Sequence, residues 1–368
     1  MTLHEQHYFA LLRAALWNEP VDIEGAIDWE TVMQQAHHQA NAVLLSDVAS
    51  RMTGSNRPSA EMLEQMRALM RNNLLIQMSR KQLLVAAVTL LREHGIEPLV
   101  LKGFGLAALY PNSVLRQFGD IDLYAAPGDF HQACALLRTL PGAYTWEQVE
   151  GAGHHYNIDF DDIPLEVHHV SADVIDDKER AAYSAIERDG LVEHPQRVDI
   201  GGIVVSVGSK EFQVFFTFFH AWHHFLTSGV GWRQISDVAI ALHFYYGQLD
   251  LEKLHGWMDA MHLMKPWQTF GCLMVDCLGL PEKEMPFFDA SCRPKAKRLL
   301  RRIMKEGNFR RANRFVRRKP KRRFWHKFHA LVCMFVEFFH RVSLFPASAF
   351  REFHHSLRYA FKKNFPKK

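Results

Sequence analysis

The sequence has no paired cysteines. Its five, Cys134, Cys272, Cys277, Cys292 and Cys333, form no CxxC in 368 residues. That excludes a zinc ribbon, a thioredoxin-type redox site and a disulfide framework, and it suits a reducing compartment. Long apolar runs are also missing. The most apolar stretch, 324–345, is interrupted by Lys327, Glu337 and Arg341, so no spanning helix is expected. The N-terminal MTLHEQHYFALLRAALW carries Glu5 and two histidines where an export signal needs a basic start and an unbroken apolar core. A cytoplasmic location is expected.

Acidic residues are scarce in one region. Residues 293–368 hold 24 Lys and Arg against three acids, a balance of +21, which leaves −17 on residues 1–292 within a net charge of +4. Such asymmetry points to an anionic partner for the tail, or to the tail docking on the acidic body. The composition, 48% hydrophobic and 23% charged, is that of a globular protein, and the length suggests two or three domains.

From residue 4 to about 94 apolar residues recur at three and four, as in Leu74, Met78, Lys81, Leu84, Val85 and Val88, which predicts a helical bundle interrupted by a loop at 54–58. The period changes after Gly95. IEPLVLK (96–102), GDIDLYAA (119–126), HHYNIDF (154–160) and IPLEVHHV (163–170) read as strands, the last two as a hairpin turned at Asp161-Asp162, with helical stretches at 105–110 and 128–140. RVDIGGIVVSVG closes this unit near 207. Helical periodicity then returns. The expectation is an α+β fold divided into a helical region 1–94, a small mixed-sheet core 95–207, a helical domain 208–292 and a basic, aromatic-rich helical tail 293–368.

The residues that suggest chemistry lie between 101 and 124. Asp120 and Asp122 alternate along a predicted strand, so their carboxylates leave one face while Ile121 and Leu123 enter the core. Two carboxylates side by side suit Mg²⁺, with Mn²⁺ as an alternative, when water and substrate phosphates complete the shell. Glu166, in PLEVHH, offers a third ligand, and two ions can grip both oxygens of an in-line displacement at phosphorus. Lys102-Gly103 ends a strand and opens a helix, where backbone N–H groups of Gly103 and Phe104 suit a phosphate and Gly103 and Gly105 leave room for close approach. Lys102 or Arg116 would neutralise the polyphosphate.

In this order the residues resemble the polymerase-β-type nucleotidyltransferase superfamily, and more narrowly its uncharacterised bacterial nucleotidyltransferase family. The narrower pattern is carried by Lys102, Gly103, Leu106, Ala107, Tyr110, Pro111, Arg116, Gly119, Asp120, Ile121, Asp122 and Leu123, then Glu166 and His168. HAWHHFLTSGVGWRQISDVA (220–239) is similar to that family's next helical element, and the resemblance spans about residues 30–245. It implies a small mixed sheet flanked by helices and metal-dependent transfer of a nucleoside monophosphate from a nucleoside triphosphate to an acceptor, with pyrophosphate released. It also places Arg233 near the cleft, against the base or acceptor. Two positions depart from the superfamily: Gly103-Phe104 replaces the usual Gly-Ser or Gly-Gly, and Glu166 stands where Asp is commoner.

Each feature has a plainer reading. Arg233 and Asp237 suit a simple i,i+4 pair. His168 shares a face with Glu166 and either orients a ligand, binds phosphate or is a satisfied strand histidine, while His169 points away and is structural. His220, His223 and His224 have zinc-compatible spacing, but no HExxH accompanies them. Asp159, Asp161 and Asp162 are turn residues first. In the tail, 293–327 contains 17 basic residues and one acid. Across 324–345 a helix gathers His326, Ala330, Cys333, Glu337 and Arg341 into a polar stripe opposite a Phe-rich face. That pattern suits a packed helix, one lying on an anionic membrane surface, or a nucleic-acid grip in which Phe309, Phe315 and Phe324 stack bases. The alternatives to a nucleotidyltransferase are therefore a non-catalytic adaptor of the same fold, whose tail binds membrane or a polyanion, and an RNA-directed transferase.

Overall fold

The computed structural model describes residues 1–21, 23–145, 153–174, 177–310 and 323–364. Four helices come first, α1 (Leu3–Trp17), α2 (Trp29–His38), α3 (Ala42–Arg51) and α4 (Ala60–Glu93). Side chains of Thr2, Asp28 and Ser59 cap α1, α2 and α4 by accepting from backbone N–H groups that lack an intrahelical partner. One 18-residue window of α4 is long and apolar enough, at mean hydropathy 1.4, to cross a membrane by composition. Its ends, however, are set in two different cores. Leu63 and Met66 pack with α1–α3, whereas Leu84, Ala87, Val88 and Leu91 pack beneath the sheet.

The middle of α4 corrects the sequence expectation. Leu74 and Met78 are exposed, and the buried positions there are Asn73 and Gln77. Asn73 donates to the Val114 carbonyl at 2.7 Å and Gln77 to that of Arg116 at 3.5 Å. A loop lies there, and its carbonyls need donors that an apolar face cannot supply.

Among the described residues seven strands follow, β1 (Leu99–Val100), β2 (Ile121–Tyr124), β3 (Ala143–Tyr144), β4 (His155–Phe160), β5 (Ile163–His168), β6 (Gln196–Asp199) and β7 (Val204–Val207). They form one mixed sheet ordered β3-β4-β5-β2-β1-β7-β6. The expected α+β class holds, with a small mixed sheet and helices before and after it. The β4–β5 hairpin turns at Asp161 in the left-handed region, φ 52°, as its Asp-Asp sequence predicts. β2 runs parallel to β5 and antiparallel to β1, with Asp122 opposite Glu166 in register. The two-residue β3 was not expected, being too short to show alternation.

Between β1 and β2 the chain makes a single helical turn, α5 (Phe104–Ala107), and α6 (Phe130–Leu137) follows β2. After β5 comes α7 (Asp177–Glu187), and after β7 come α8 (Lys210–Leu226), α9 (Trp232–Phe244), α10 (Leu251–Ala260), α11 (Met264–Leu278) and α12 (Arg293–Glu306). Helices α8–α12 share one apolar core with α1–α3 and the N-terminal end of α4. The sheet, the C-terminal half of α4 and α6 make the second core.

Two further helices, Arg323–Val342 and Pro346–Asn364, form a hairpin. Part of the basic tail does dock on acidic residues of the body, through Arg293 to Asp276 at 3.1 Å and Arg351 to Glu179. Phe315 and the basic run 311–322 lie outside the described residues.

Candidate active site

The predicted carboxylates meet where β2 and β5 lie side by side. Register puts Asp122 beside Glu166, and His168, two residues on, projects from the same face of β5. Its Nε2–H donates to Asp122 Oδ1 at 3.1 Å and Glu166 Oε2 at 3.2 Å. Lys102, from the end of β1, reaches the same Oδ1 with Nζ at 2.8 Å. The Asp122 side chain is fully buried, and its Oδ2 has no hydrogen-bond partner. Asp122, Glu166 and His168 offer three ligand atoms within 4.8 Å of one another.

The charges in this cluster sustain one another. Burial would lift the Asp122 carboxyl, but Lys102 and then His168 hold it below its ordinary value. Burial also works against charge on the half-buried Glu166, yet its pKa is lowered, chiefly by the His168 hydrogen bond. Burial works against charge on Lys102, but Asp122 and Asp120 raise its pKa, while hydrogen bonds to Asp122 and Glu166 raise that of His168 in the same way. Lys102 and His168 together thus offset the cost of burying the two carboxylates.

Asp120 does not join this cluster among the described residues. β2 begins at Ile121, so Asp120 sits half-buried in the preceding loop, where it lines the cavity and its charge acts on Arg80, Lys102, Arg116 and Arg233. His168 takes the third place instead. A period-two pattern cannot tell the last loop residue from the first strand residue.

The glycine turn also differs from expectation. α5 is one turn long, so its dipole is slight, and Gly105 N–H already donates to the Lys102 carbonyl. Gly103 adopts φ 49° and ψ −109°, a conformation that side chains disfavour. A Cβ on Gly105 would lie 3.2 Å from Val207 Cγ1, so that glycine serves helix-to-sheet packing rather than a phosphate. The Phe104 ring stands edge-on to Phe118 at 4.8 Å.

Arg116 was expected on the phosphates and is engaged elsewhere. It is 3% exposed, grips Asp237 of α9 through Nε at 2.7 Å and Nη2 at 2.9 Å, and donates from Nη1 to the Gly103 carbonyl at 3.0 Å. Tyr110 completes the site by donating to Asp237 Oδ1 at 2.7 Å. Asp237 thus pairs with Arg116 rather than with Arg233. The half-buried Arg233 points into the cavity and donates to the Gln117 carbonyl at 3.0 Å, and its Nε has no hydrogen-bond partner.

A cavity of about 310 Å³ opens over these groups. Lys102, Asp120, Glu166 and His168 line one side, and Phe219, His220, His223, His224 and Phe309 the other. His220 and His224 share a hydrogen bond of 2.9 Å between their Nε2 atoms, which requires that the accepting ring be neutral. Burial and then the neighbouring positive groups push His224 down to about 3, and His220 well below its ordinary value. The zinc reading for these histidines gains nothing, because the metal-compatible groups among the described residues do not include them. His169 points away and meets the Gly153 carbonyl at 2.7 Å, as expected. Arg80 and His154 were not read as site residues, Phe309 was read only as a base-stacking residue of the tail, and no local motif marks them for this cavity. Phe309 reaches the cavity from beyond α12, in the left-handed region at φ 50°, edge-on to His224.

A family described as uncharacterised nucleotidyltransferase matches residues 25–279. No curated protein matches the chain. Among solved structures, the solution structure of the antibiotic-resistance factor ANT(2'')-Ia is similar at 16% identity and a TM-score of 0.37, covering 50% of this chain and 92% of that one.

Proposed function

Because the chain belongs to the uncharacterised nucleotidyltransferase family, we propose that it is a working enzyme that moves a nucleoside monophosphate from a nucleoside triphosphate to an acceptor hydroxyl. The observation that carries this reading is the pair Asp122 and Glu166, in register on adjacent parallel strands, with Asp122 Oδ2 buried and unpartnered. A buried carboxylate oxygen without a donor is costly unless a cation answers it. The donor set is two carboxylates, hard oxygen ligands of the type Mg²⁺ or Mn²⁺ takes, so the residues fit such an ion. Asp122 and Glu166 would hold it, with Asp120 at the cavity wall as a further carboxylate. The ion would supply charge neutralisation at the transferring phosphoryl group.

The remaining roles fall to the chain's own groups. Lys102, whose ammonium already sits on Asp122, is placed to share its charge with the leaving pyrophosphate. Arg233, with a guanidinium nitrogen unpartnered at the cavity wall, contacts the triphosphate or the acceptor. Arg116 positions rather than binds, tying the Gly103 turn to α9. In the transfer, the acceptor oxygen bonds to the α-phosphorus, the bond to the bridging oxygen breaks, and the hydroxyl proton passes to a carboxylate. Glu166, with a side chain 24% exposed, is open to the cavity and can receive it. No disulfide joins the five cysteines among the described residues, which supports a reducing, cytoplasmic setting.

One observation favours the non-catalytic adaptor as a second reading: Lys102 closes on Asp122 and neutralises it. Calorimetry with nucleoside triphosphates separates the two. Binding that requires Mg²⁺ and disappears in Asp122→Asn supports the enzyme. Binding indifferent to both the ion and the substitution sinks it, and pyrophosphate release in an acceptor screen then identifies the second substrate.

A further inference from the structure

In the C-terminal hairpin the usual arrangement of a surface helix is reversed. Glu337 and Arg341 of the helix Arg323–Val342 face inward, only 4% and 8% exposed. Arg302 of α12 pairs with Glu337, and Arg341 donates to the Thr227 carbonyl at 3.2 Å. These two members of the polar stripe are thus consumed by the body of the protein. Phe335, Val336, Phe339 and Phe350 are left outside, at 41%, 41%, 64% and 59% exposed. A helix that merely packs on a globular body turns its apolar stripe inward and its charges to water.

The outward aromatics belong to a single connected patch. Phe338 lies tilted against Phe353 at 4.4 Å and meets Phe350 edge-on at 5.0 Å, tying the two helices of the hairpin together. Next to it, α12 exposes Lys297, Arg298, Arg301 and Lys305, and Arg298 donates to the Ser343 carbonyl at 3.3 Å at the hairpin corner. Residues 293–368 carry 24 basic residues against three acids. Exposed Phe and Val side chains beside a basic helix face match a bilayer interface, where acyl chains take the rings and anionic head groups take the charges. A polyanion such as RNA would satisfy the charges, but it leaves Val336 and the outward Phe positions in water.

We propose that this hairpin, with the basic face of α12, seats the protein on an anionic lipid surface. The docking is independent of whether the cavity catalyses.

The test is cosedimentation of the full chain with vesicles of phosphatidylcholine alone or mixed with phosphatidylglycerol, at low and high salt. The wild-type chain should prefer the anionic vesicles by about tenfold or more at low salt. Phe339→Ser with Phe350→Ser, both at exposed positions, should weaken that binding by about tenfold while the thermal unfolding midpoint stays in place. Lys297→Gln with Lys305→Gln should make the salt dependence shallower. Failure to sediment with anionic vesicles overturns the proposal. So does undiminished binding by the Phe double variant, or tighter binding to RNA than to vesicles with no contribution from the two Phe residues.

Discussion

Arg116 and Asp237, 121 positions apart, meet in a buried bidentate pair with contacts of 2.7 and 2.9 Å. The pair joins the loop before β2 to α9, and through the Gly103 carbonyl it also holds the turn after β1. Both walls of the cavity are therefore fixed by one ion pair. Asp237→Ala would leave a guanidinium and the Tyr110 hydroxyl buried without their acceptor. The expected loss is about 3–5 kcal/mol of unfolding free energy, read from urea denaturation. Replacing both partners by apolar residues, Arg116→Met with Asp237→Leu, should recover much of it, and failure to recover would mean that the pair's contacts with Gly103 and Tyr110 dominate.

Lys102 and the divalent ion compete for Asp122. Lys102→Met removes the ammonium from Oδ1 and leaves the carboxylates less neutralised. Mg²⁺ or Mn²⁺ alone should then bind more tightly, by roughly tenfold, while the nucleoside triphosphate binds more weakly. Calorimetry with ion alone and with nucleotide separates the effects. Weaker binding of both would show that Lys102 shapes the site instead of opposing the ion.

Gly103→Ala places a side chain at φ 49° and ψ −109°, with its Cβ 3.4 Å from the Phe118 ring. About 1–3 kcal/mol of destabilisation is expected from the backbone conformation. Gly105→Ala forces a contact with Val207, so it should loosen α5 on the sheet. Denaturation curves for the two variants, set beside nucleotide affinity, will show whether the turn is needed in its present shape.

Stability should fall with acidification through the histidine wall. In the unfolded chain His220 and His224 take protons near 6.5, whereas in the folded chain His224 resists until about 3 and His220 is also strongly depressed. Between those values the unfolded state holds more protons, so stability is full above about pH 7 and declines as pH falls. Each histidine contributes at most about 1.4 kcal/mol per pH unit. Unfolding midpoints at pH 7 and pH 5 should differ less in His220→Gln with His224→Gln than in the wild-type chain. Equal differences would place the sensitivity elsewhere.

The sheet and its carboxylates were largely legible because strand signals are local. Alternation around Asp122 and Glu166, and the Asp-Asp turn between β4 and β5, follow from the two-residue repeat of a strand. The α4 stripe misled for an equally local reason, since Leu74 and Met78 keep helical spacing but face outward. Burial there is decided by the carbonyls of Val114 and Arg116, about forty positions away, which demand Asn73 and Gln77.

The order Lys102-Gly103, Asp120, Asp122, Glu166 and His168 identified the family and the fold, because each element reports its own type through spacing and turn chemistry. What those side chains meet was settled by packing. Arg116 turned from the expected phosphate site to Asp237, His168 took the place expected of Asp120, and Phe309 came in from beyond α12. The aromatic face of the tail was visible in sequence, but its outward direction was not. Periodicity defines which residues share a face of a helix. Only the groups arriving from distant parts of the chain, here Arg302 against Glu337, decide whether that face turns in or out.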